Sequence, residues 1–312
     1  MNVLDKLPKT AANPMLALGL WLSHALIALA MYWHMVDDAG PRVAVVWALM
    51  VVPGVHLLIA AASFAVKWAL GDWPGAIRGN GWRPWAVLAR EAVWMARLYC
   101  WDQCWPWPLQ RLPQSPSPHN LPLVLVHGFC CNAGVWRPLL TRCQRRWRVA
   151  VSLEPSYRHF ERQLQSLDQA VQRVLQQSGQ AQVILLGHSM GGLLARAYAA
   201  RFPARVAGYV SVAAPHAGTV LGALVYGREY GPPSPAARWL QHFNAQTPAG
   251  VPAIHFHTLD DNIVIPAAHS RCAGGDNRRL DGGHLAAICA ASSVDSILRA
   301  VDALTPVAAV GR

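Results

Sequence analysis

The stretch "QVILLGHSMGGLLARAYAA", residues 182–200, decides the fold. An apolar run typical of a buried strand ends in Gly-His-Ser-Met-Gly-Gly and continues directly as a helical pattern. Glycines on both sides of Ser189 let strand, turn and helix approach closely, which forces the serine into strained dihedral angles and exposes its hydroxyl. The helix N-terminus adds amides where negative charge develops. Ser189 is therefore predicted to be a catalytic nucleophile rather than a small residue in a glycine-rich connection.

The same alternation of strand and helix signals continues on both sides of this stretch. Apolar runs that indicate strands include "LPLVLVHG" at 121–128 and "VPAIHFHTLD" at 251–260. Apolar strands that alternate with helices form a mostly parallel sheet with helices on both faces. The sequence therefore predicts an α/β domain over residues 121–312.

A nucleophilic serine needs a general base and a carboxylate that orients this base. In this topology they follow the serine in the order acid, then histidine. Asp260 and Asp261 end the strand at 251–260, where parallel strands place functional groups. His269 and His284 follow them, and His284 is the predicted base because it lies on a glycine-rich loop directly before the last helix.

The loop "VHGFCCNAGVW" at 126–136 supplies a site for the oxyanion. Its His-Gly turn is expected to expose the amide of Phe129, beside the amide of Met190. His127 is interpreted as a residue that holds this loop by hydrogen bonds. The candidates for the substrate pocket are Cys130, His188 and Trp239.

Two apolar segments precede the α/β domain. Residues 15–36 and 43–66 contain no Asp, Glu, Lys or Arg, and each is long enough to cross a bilayer as a helix. Only "DDAGPR" separates them, which favours a tight transmembrane hairpin in the region 1–72. The alternative for the first segment is a secretory signal. Two features argue against this alternative: the segment contains Trp, Ser and His residues, and a second span follows it at once.

The distribution of Lys and Arg predicts the orientation. Lys6 and Lys9 precede the first span and several basic residues follow the second, whereas the loop carries Asp37 and Asp38 with a single basic residue, Arg42. Both ends of the hairpin and the α/β domain are therefore predicted to be cytoplasmic, with a periplasmic location left open.

Residues 73–120 connect the two parts. "PWAVLAREAVWMARLYCWDQCW" at 84–105 is too charged to span, and its spacing of Arg and Trp predicts an amphipathic segment at the lipid headgroups. The alternative is a helix that packs on the α/β domain. The Pro- and Ser-rich stretch at 105–120 is typical of a linker.

The net charge and the cysteines indicate which binding partners, metal sites and disulfides to expect. The net charge is +11, but there is no run of five or six basic residues, so no nucleic acid is predicted and an anionic membrane surface is favoured. The seven cysteines show no metal-type spacing, and no metal site is predicted. They are interpreted as unpaired thiols, with a Cys272–Cys289 disulfide as the alternative in an oxidising compartment.

As a set, these residues resemble the α/β-hydrolase superfamily, specifically bacterial lipases and esterases. The motifs "LVHGFCCNAGVW", "LLGHSMGGLLARAY", "VAAPHAGT", "HTLDDNIVIP" and "DGGHLAAI" occur in the order of that family and cover residues 121–303. The similarity of "D-x-I-V-x-P" to the acid turn of the family selects Asp261 rather than Asp260. For a bacterial protein of this kind, the two spans imply the inner membrane.

The resemblance implies hydrolysis of lipophilic carboxylic esters through an acyl-enzyme, with no cofactor. The sequence shows no convincing calcium site of the kind that some larger bacterial lipases carry. Ser189, Asp261 and His284 would form the triad, and Phe129 and Met190 the oxyanion hole. Residues 216–250 fall where relatives carry a lid or acyl-binding cap, and the domain is expected to start directly at the strand before the oxyanion loop. An acyltransferase on the same triad and a catalytically silent membrane interaction module remain alternatives.

Overall fold

A computed structural model describes residues 14–72, 82–105, 110–111, 121–143, 148–151, 160–222, 238–245 and 250–304. It comprises a helical N-terminal region followed by an α/β domain. Much of the predicted linker at 105–120 and part of the predicted cap at 216–250 lie outside the described residues, as do Lys6 and Lys9.

The N-terminal region begins with two long helices, α1 (Pro14–Ala39) and α2 (Pro41–Ala69). The six-residue loop expected between them is reduced to Gly40, which has a φ of 81°. Glycine adopts this left-handed conformation at little cost, and the fixed φ of Pro41 suits the first position of a helix. The Gly-Pro pair thus reverses the chain without a longer loop.

Both helices are long and apolar enough to cross a membrane, with mean hydropathies of 1.6 for Leu16–Ala39 and 2.3 for Pro41–Ala69. Only 6% and 17% of the residues in their most apolar windows are buried inside the protein. The core helix of a soluble domain is mostly buried, so this exposure suits a lipid environment better than a protein core. The two helices are therefore candidate membrane spans.

The third helix, α3 (Arg83–Arg97), continues as a π-helical turn at Leu98–Asp102. Val87 and Leu88 pack on α2, whereas Ala92 and Met95 join the hydrophobic core of the α/β domain. The alternative of a helix that packs on the α/β domain is therefore what the structure shows. Several aromatic side chains of this segment are nevertheless exposed, and contact with lipid headgroups stays a prediction; they are Trp82, Trp85, Trp101 and Trp105.

The α/β domain contains a seven-stranded sheet in the order β1-β3-β2-β4-β5-β6-β7. All neighbouring strands are parallel except β1, which pairs antiparallel with β3 at the edge. The strands are β1 (Gln110–Arg111), β2 (Leu123–Val126), β3 (Arg148–Val151), β4 (Val183–His188), β5 (Val206–Val212), β6 (Ala253–Thr258) and β7 (Asp276–Leu280).

Two of these strands differ from the expectation. The domain does not start directly at β2, because β1 precedes it; this strand has two polar residues in a proline-rich stretch and carries no apolar signal. At the other edge, β7 is largely polar and partly exposed, so hydrophobicity does not mark it either. The central strands β2 and β4 are fully buried, as their continuous apolar runs predict.

Helices cover both faces of the sheet, as parallel strands require. One hydrophobic core includes residues of α5, α6 and α7, and the other includes residues of α3, α4, α8 and α9. The helices of the domain are α4 (Arg137–Arg142), α5 (Phe160–Ser178), α6 (Met190–Arg201), α7 (Arg238–Ala245), α8 (Ala286–Cys289) and α9 (Ala291–Ala303). All seven cysteines are free thiols, so the Cys272–Cys289 disulfide is not formed in this structure.

Candidate active site

Ser189 occupies the single residue between β4 and α6. Its backbone has a φ of 55° and a ψ of −127°, a conformation that is strained for a residue with a Cβ. The Ser189 amide donates a hydrogen bond to the carbonyl of Val212 at 2.9 Å, which fixes the turn to the end of β5. The chain thus stores strain at one serine and holds that serine at the carboxyl edge of the sheet.

The neighbouring glycines explain how this turn fits. A Cβ added at Gly191 would overlap the carbonyl of Val126 in β2, and one added at Gly187 would overlap the backbone of Gly191. Backbone therefore occupies the space in which side chains would otherwise lie. These contacts bring β2, β4 and the start of α6 together around Ser189.

The loop after β2 lies against the serine. A Cβ added at Gly128 would stand 2.9 Å from Ser189 Cβ and 3.4 Å from Ser189 Oγ. Phe129 follows in the chain, and Met190 opens α6 on the other side of the serine. The structure thus brings the two residues predicted to form the oxyanion hole next to the predicted nucleophile, although their role stays a prediction.

His127 is buried behind this loop and donates a hydrogen bond from Nδ1 to the carbonyl of Gly128 at 2.9 Å. Burial lowers the pKa of His127 to about 4, and this hydrogen bond opposes the shift only in part. The ring is therefore neutral near pH 7. Its contact agrees with the interpretation that His127 holds the loop.

Asp261 and His284 form a buried pair. His284 Nδ1 lies 3.0 Å from Asp261 Oδ1 and 3.1 Å from Oδ2. The amides of Ile263 and Val264 also donate to Asp261 Oδ1, at 2.9 and 2.8 Å, so the carboxylate is fixed from its own turn. This geometry orients the imidazole and leaves Nε2 as the nitrogen that can take a proton.

The adjacent carboxylate, Asp260, has a different environment. Its Oδ2 lies 3.5 Å from Arg83 Nη2, at the start of α3. Burial raises the pKa of Asp260, and the positive charge of Arg83 opposes that shift. Of the two aspartates that end β6, only Asp261 contacts His284.

His284 is buried beside the elbow. His188 Nε2 donates a hydrogen bond to the carbonyl of His284 at 3.2 Å, and the two rings lie 4.6 Å apart. No hydrogen bond joins Ser189 Oγ to His284 among the described residues. Hydrogen bonds between a base and a nucleophile often tighten only when substrate binds, so this geometry is compatible with the predicted roles of His284 and Ser189.

Opposing effects set the pKa of His284. Burial lowers it, whereas the charge and hydrogen bond of Asp261 and the charge of Glu91 raise it, and the net pKa lies above the ordinary value. The two carboxylates therefore favour the imidazolium form of His284.

Three other histidines after Ser189 have partners elsewhere in the domain. His269 donates from Nδ1 to the carbonyl of Gly218 at 2.9 Å. His216 and His255 share Ser211, whose Oγ lies 2.8 Å from His216 Nε2 and 2.7 Å from His255 Nδ1. Ser211 is fully buried in β5, so it is closed to substrate.

The three residues predicted to line the substrate pocket lie in different environments in the structure. Cys130 is exposed, with a φ of 52°, in the loop that lies against Ser189. His188 is only 1% exposed and packs against His284, and its place in the substrate pocket stays a prediction. Trp239 packs on Phe160 and Phe243 in the core between α5, α6 and α7, and its place in the substrate pocket stays a prediction.

Two residues that hold the loop of His284 were missed in the sequence. Asn262 Oδ1 accepts a hydrogen bond from the His284 amide at 3.2 Å, and Glu91 of α3 accepts hydrogen bonds from the next two amides. The signal for Glu91 was its position: it shares the apolar face of α3 with Leu88, Ala92 and Met95.

Among the described residues, two groups bring metal-ligating atoms within 4.8 Å of one another: His24 with His56 and Cys100, and His216 with His255 and Cys272. In the second group, burial lowers the pKa of both histidines, and the positive charge of Arg196 contributes to both shifts. The same positive charge disfavours a bound cation. The expectation of no metal stays a prediction.

Comparisons with known proteins agree with this fold. Residues 122–259 match the family model described as alpha/beta hydrolase fold. The pimeloyl-[acyl-carrier protein] methyl ester esterase of Yersinia enterocolitica is 43% identical over 91 residues, which are 29% of this chain and 35% of that protein. The corresponding esterase of Edwardsiella ictaluri is 38% identical over 92 residues, with the same two shares. The chain thus spans about a third of the length of these curated relatives.

Among solved structures, the chain is similar to the propeptide form of the Bacillus licheniformis lipase BlEst2, with a TM-score of 0.50 and 15% identity. The likeness covers 65% of this chain and 54% of that one, and at such identity it shows the fold alone. The sheet order, the matched family model and this likeness show that the part of the chain that forms the sheet has the α/β-hydrolase fold.

Proposed function

We propose that this protein is a serine hydrolase of carboxylic esters, a lipase or esterase that acts on lipophilic esters without a cofactor. One observation carries the proposal: the buried His284–Asp261 pair, with Nδ1 at 3.0 and 3.1 Å from the carboxylate oxygens, stands at the same sheet edge as the strained Ser189. The related proteins named as methyl ester esterases support an ester bond as the target.

The proposed reaction has two steps. Ser189 Oγ attacks the ester carbonyl while His284 Nε2 takes the serine proton, and the amides of Phe129 and Met190 bind the oxyanion. His284 then gives the proton to the alcohol that leaves, and an acyl-enzyme remains. Water, deprotonated by His284, attacks that acyl-enzyme and releases the acid, while Asp261 keeps the imidazole oriented throughout.

The substrate class follows from the N-terminal helices. A domain attached to two candidate spans works at a membrane surface, where long-chain esters are concentrated. We assign the protein to the bacterial inner membrane with its hydrolase domain on the cytoplasmic side, on the Lys and Arg distribution. Lipophilic esters that partition into the bilayer would then reach Ser189 more readily than soluble ones.

Hydrolysis of p-nitrophenyl esters of increasing acyl length by the purified full chain in detergent tests this proposal. We expect hydrolysis, with kcat/KM rising toward longer acyl groups. Preference for the shortest esters would contradict the lipophilic substrate class. Failure to hydrolyse any ester, together with no labelling by a fluorophosphonate, would contradict the enzymatic proposal and favour a silent interaction module. Transfer of the acyl group to an added alcohol in place of hydrolysis would favour an acyltransferase.

A further inference from the structure

Glu91 of α3 lies against the loop that carries His284, although it is far from that loop in the chain. Its side chain is fully buried. Oε1 accepts a hydrogen bond from the Leu285 amide at 2.5 Å, and Oε2 accepts one from the Ala286 amide at 3.1 Å. A Cβ added at Gly283 would stand 2.6 Å from Glu91 Oε2, so the carboxylate fills the space beside this glycine.

The two amides need such an acceptor. Leu285 and Ala286 are buried, and they lie at the start of α8, where backbone N–H groups have no partner within the helix. A buried amide without an acceptor costs roughly 1–3 kcal/mol, more when its partner was charged. The loop therefore keeps this conformation because Glu91 is there.

The backbone amide of His284 is also held by a side chain, and that side chain is bonded to α2. It donates to Asn262 Oδ1 at 3.2 Å, and Asn262 Nδ2 donates to Ser63 Oγ of α2 at 2.8 Å. Three successive amides, at 284, 285 and 286, are thus bound by side chains, and both lines of contact lead back to the N-terminal helices. The imidazole keeps its separate bond to Asp261.

Charge adds to this geometry. Burial raises the pKa of Glu91 to about 7, the two amides and the charge of His284 oppose that rise, and Asp261 adds to it. In turn the charge of Glu91 raises the pKa of His284. Cys289 is a further titratable group beside Glu91, and its thiol pKa is raised by burial and by that carboxylate. Ionised Glu91 therefore stabilises the imidazolium as well as the loop.

We propose that Glu91 is a positioning residue for His284, and that α3 is consequently part of the active-site scaffold rather than only a connection to the spans. The inference rests on the proposed function, in which His284 is the general base. Glu91 does not touch the reacting atoms. It acts by fixing the backbone from which the imidazole extends and by favouring the charged form of that imidazole.

The test compares Glu91→Gln and Glu91→Ala with a matched control, Asp102→Asn, in the full chain in one detergent. Asp102 is also a fully buried carboxylate that joins the N-terminal region to the α/β domain, but it accepts hydrogen bonds from Arg97 and Arg137, at 3.0 and 2.9 Å, and not from the loop of His284. For each variant, kcat, KM, the pH profile of kcat/KM and the thermal unfolding midpoint are measured with p-nitrophenyl butyrate.

Glu91→Gln removes the negative charge and can accept from only one of the two amides. We expect kcat to fall about tenfold with little change in KM, because misplacement of a catalytic group by about 1 Å costs up to ~100-fold. The acid limb of the pH profile should move to lower pH, since loss of the Glu91 charge lowers the pKa of His284. Glu91→Ala should lower kcat further, whereas Asp102→Asn should lower the unfolding midpoint and leave the acid limb where it is.

Should Glu91→Ala fail to fold, Glu91→Gln decides the matter, because it preserves the side-chain volume. An active wild type together with a Glu91→Gln variant whose kcat and acid limb are unchanged would overturn this inference alone. An acid limb displaced equally by Asp102→Asn would also overturn it. A wild type that neither hydrolyses the ester nor reacts with a fluorophosphonate would overturn the proposed function, and the inference with it.

Discussion

Two serines in the part of the chain that the structure describes, Ser189 and Ser211, lie near histidines in very different surroundings. At the first, Ser189 occupies the turn between β4 and α6 in a strained conformation, and His284 packs against the adjacent His188. At the second, Ser211 lies inside β5, with Oγ at 2.8 Å from His216 and 2.7 Å from His255. By distance alone, the second site looks more like a nucleophile with its base.

Accessibility and charge reverse that impression. Ser211 is fully buried, and its two histidines have pKa values lowered chiefly by burial, that of His255 to about 4. No carboxylate orients either ring through a hydrogen bond among the described residues. His284, in contrast, has a carboxylate behind it and a raised pKa. The place of Ser189 at the sheet edge and the charge behind His284 support the proposal that Ser189 is the nucleophile, whereas Ser211 satisfies polar groups within the core.

The strongest way to break this comparison is to remove the carboxylate from one site. Asp261→Asn should lower kcat about 10⁴-fold, because an amide cannot hold the required tautomer of His284 or stabilise its charged form. Asp260→Asn is the matched control, since Asp260 is the neighbouring carboxylate and pairs with Arg83. Steady-state hydrolysis by both variants checks this, and a larger loss in Asp260→Asn would mean that the acid is assigned to the wrong residue.

A smaller effect is expected from pH. The general base acts when neutral, so kcat/KM should fall about tenfold per unit as the pH drops below the pKa of His284. Because that pKa is raised, the midpoint of the acid limb should lie above 6.5, the ordinary value for histidine. A base at the Ser211 site would instead place the midpoint near or below pH 4, where His255 titrates. A full pH profile of kcat/KM separates the two.

The local parts of the first site could be predicted from the sequence. The strained turn at Ser189, the approach of the loop after β2 and the contact of Asp261 with His284 all arise at strand ends, glycines and helix starts, which leave clear local patterns. The catalytic roles of these residues stay predictions. The choice of Asp261 over Asp260 needed the resemblance to a family, because both carboxylates end the same strand and only their packing distinguishes them.

The parts that depend on distant packing could not be predicted. Glu91 and Leu285, which share a hydrogen bond, are 194 residues apart in the chain. Nothing in the sequence indicates which buried amides a carboxylate on α3 will bind. The short edge strand β1 and the burial of His188 likewise depend on packing between distant parts of the chain, so the sequence does not predict them. An amphipathic pattern shows that a helix has an apolar face, but it does not show which surface covers that face. The sequence therefore favours lipid headgroups as the surface that contacts α3, whereas in the structure one side of this helix packs on the α/β domain.

Covalent labelling of the two serines tests the central claim most directly. The full chain, Ser189→Ala and Ser211→Ala are treated with a fluorophosphonate, and the modified residue is located by mass spectrometry. The account predicts one label on Ser189 in the wild type and in Ser211→Ala, and none in Ser189→Ala. A label on Ser211, or labelling that survives in Ser189→Ala, would contradict it.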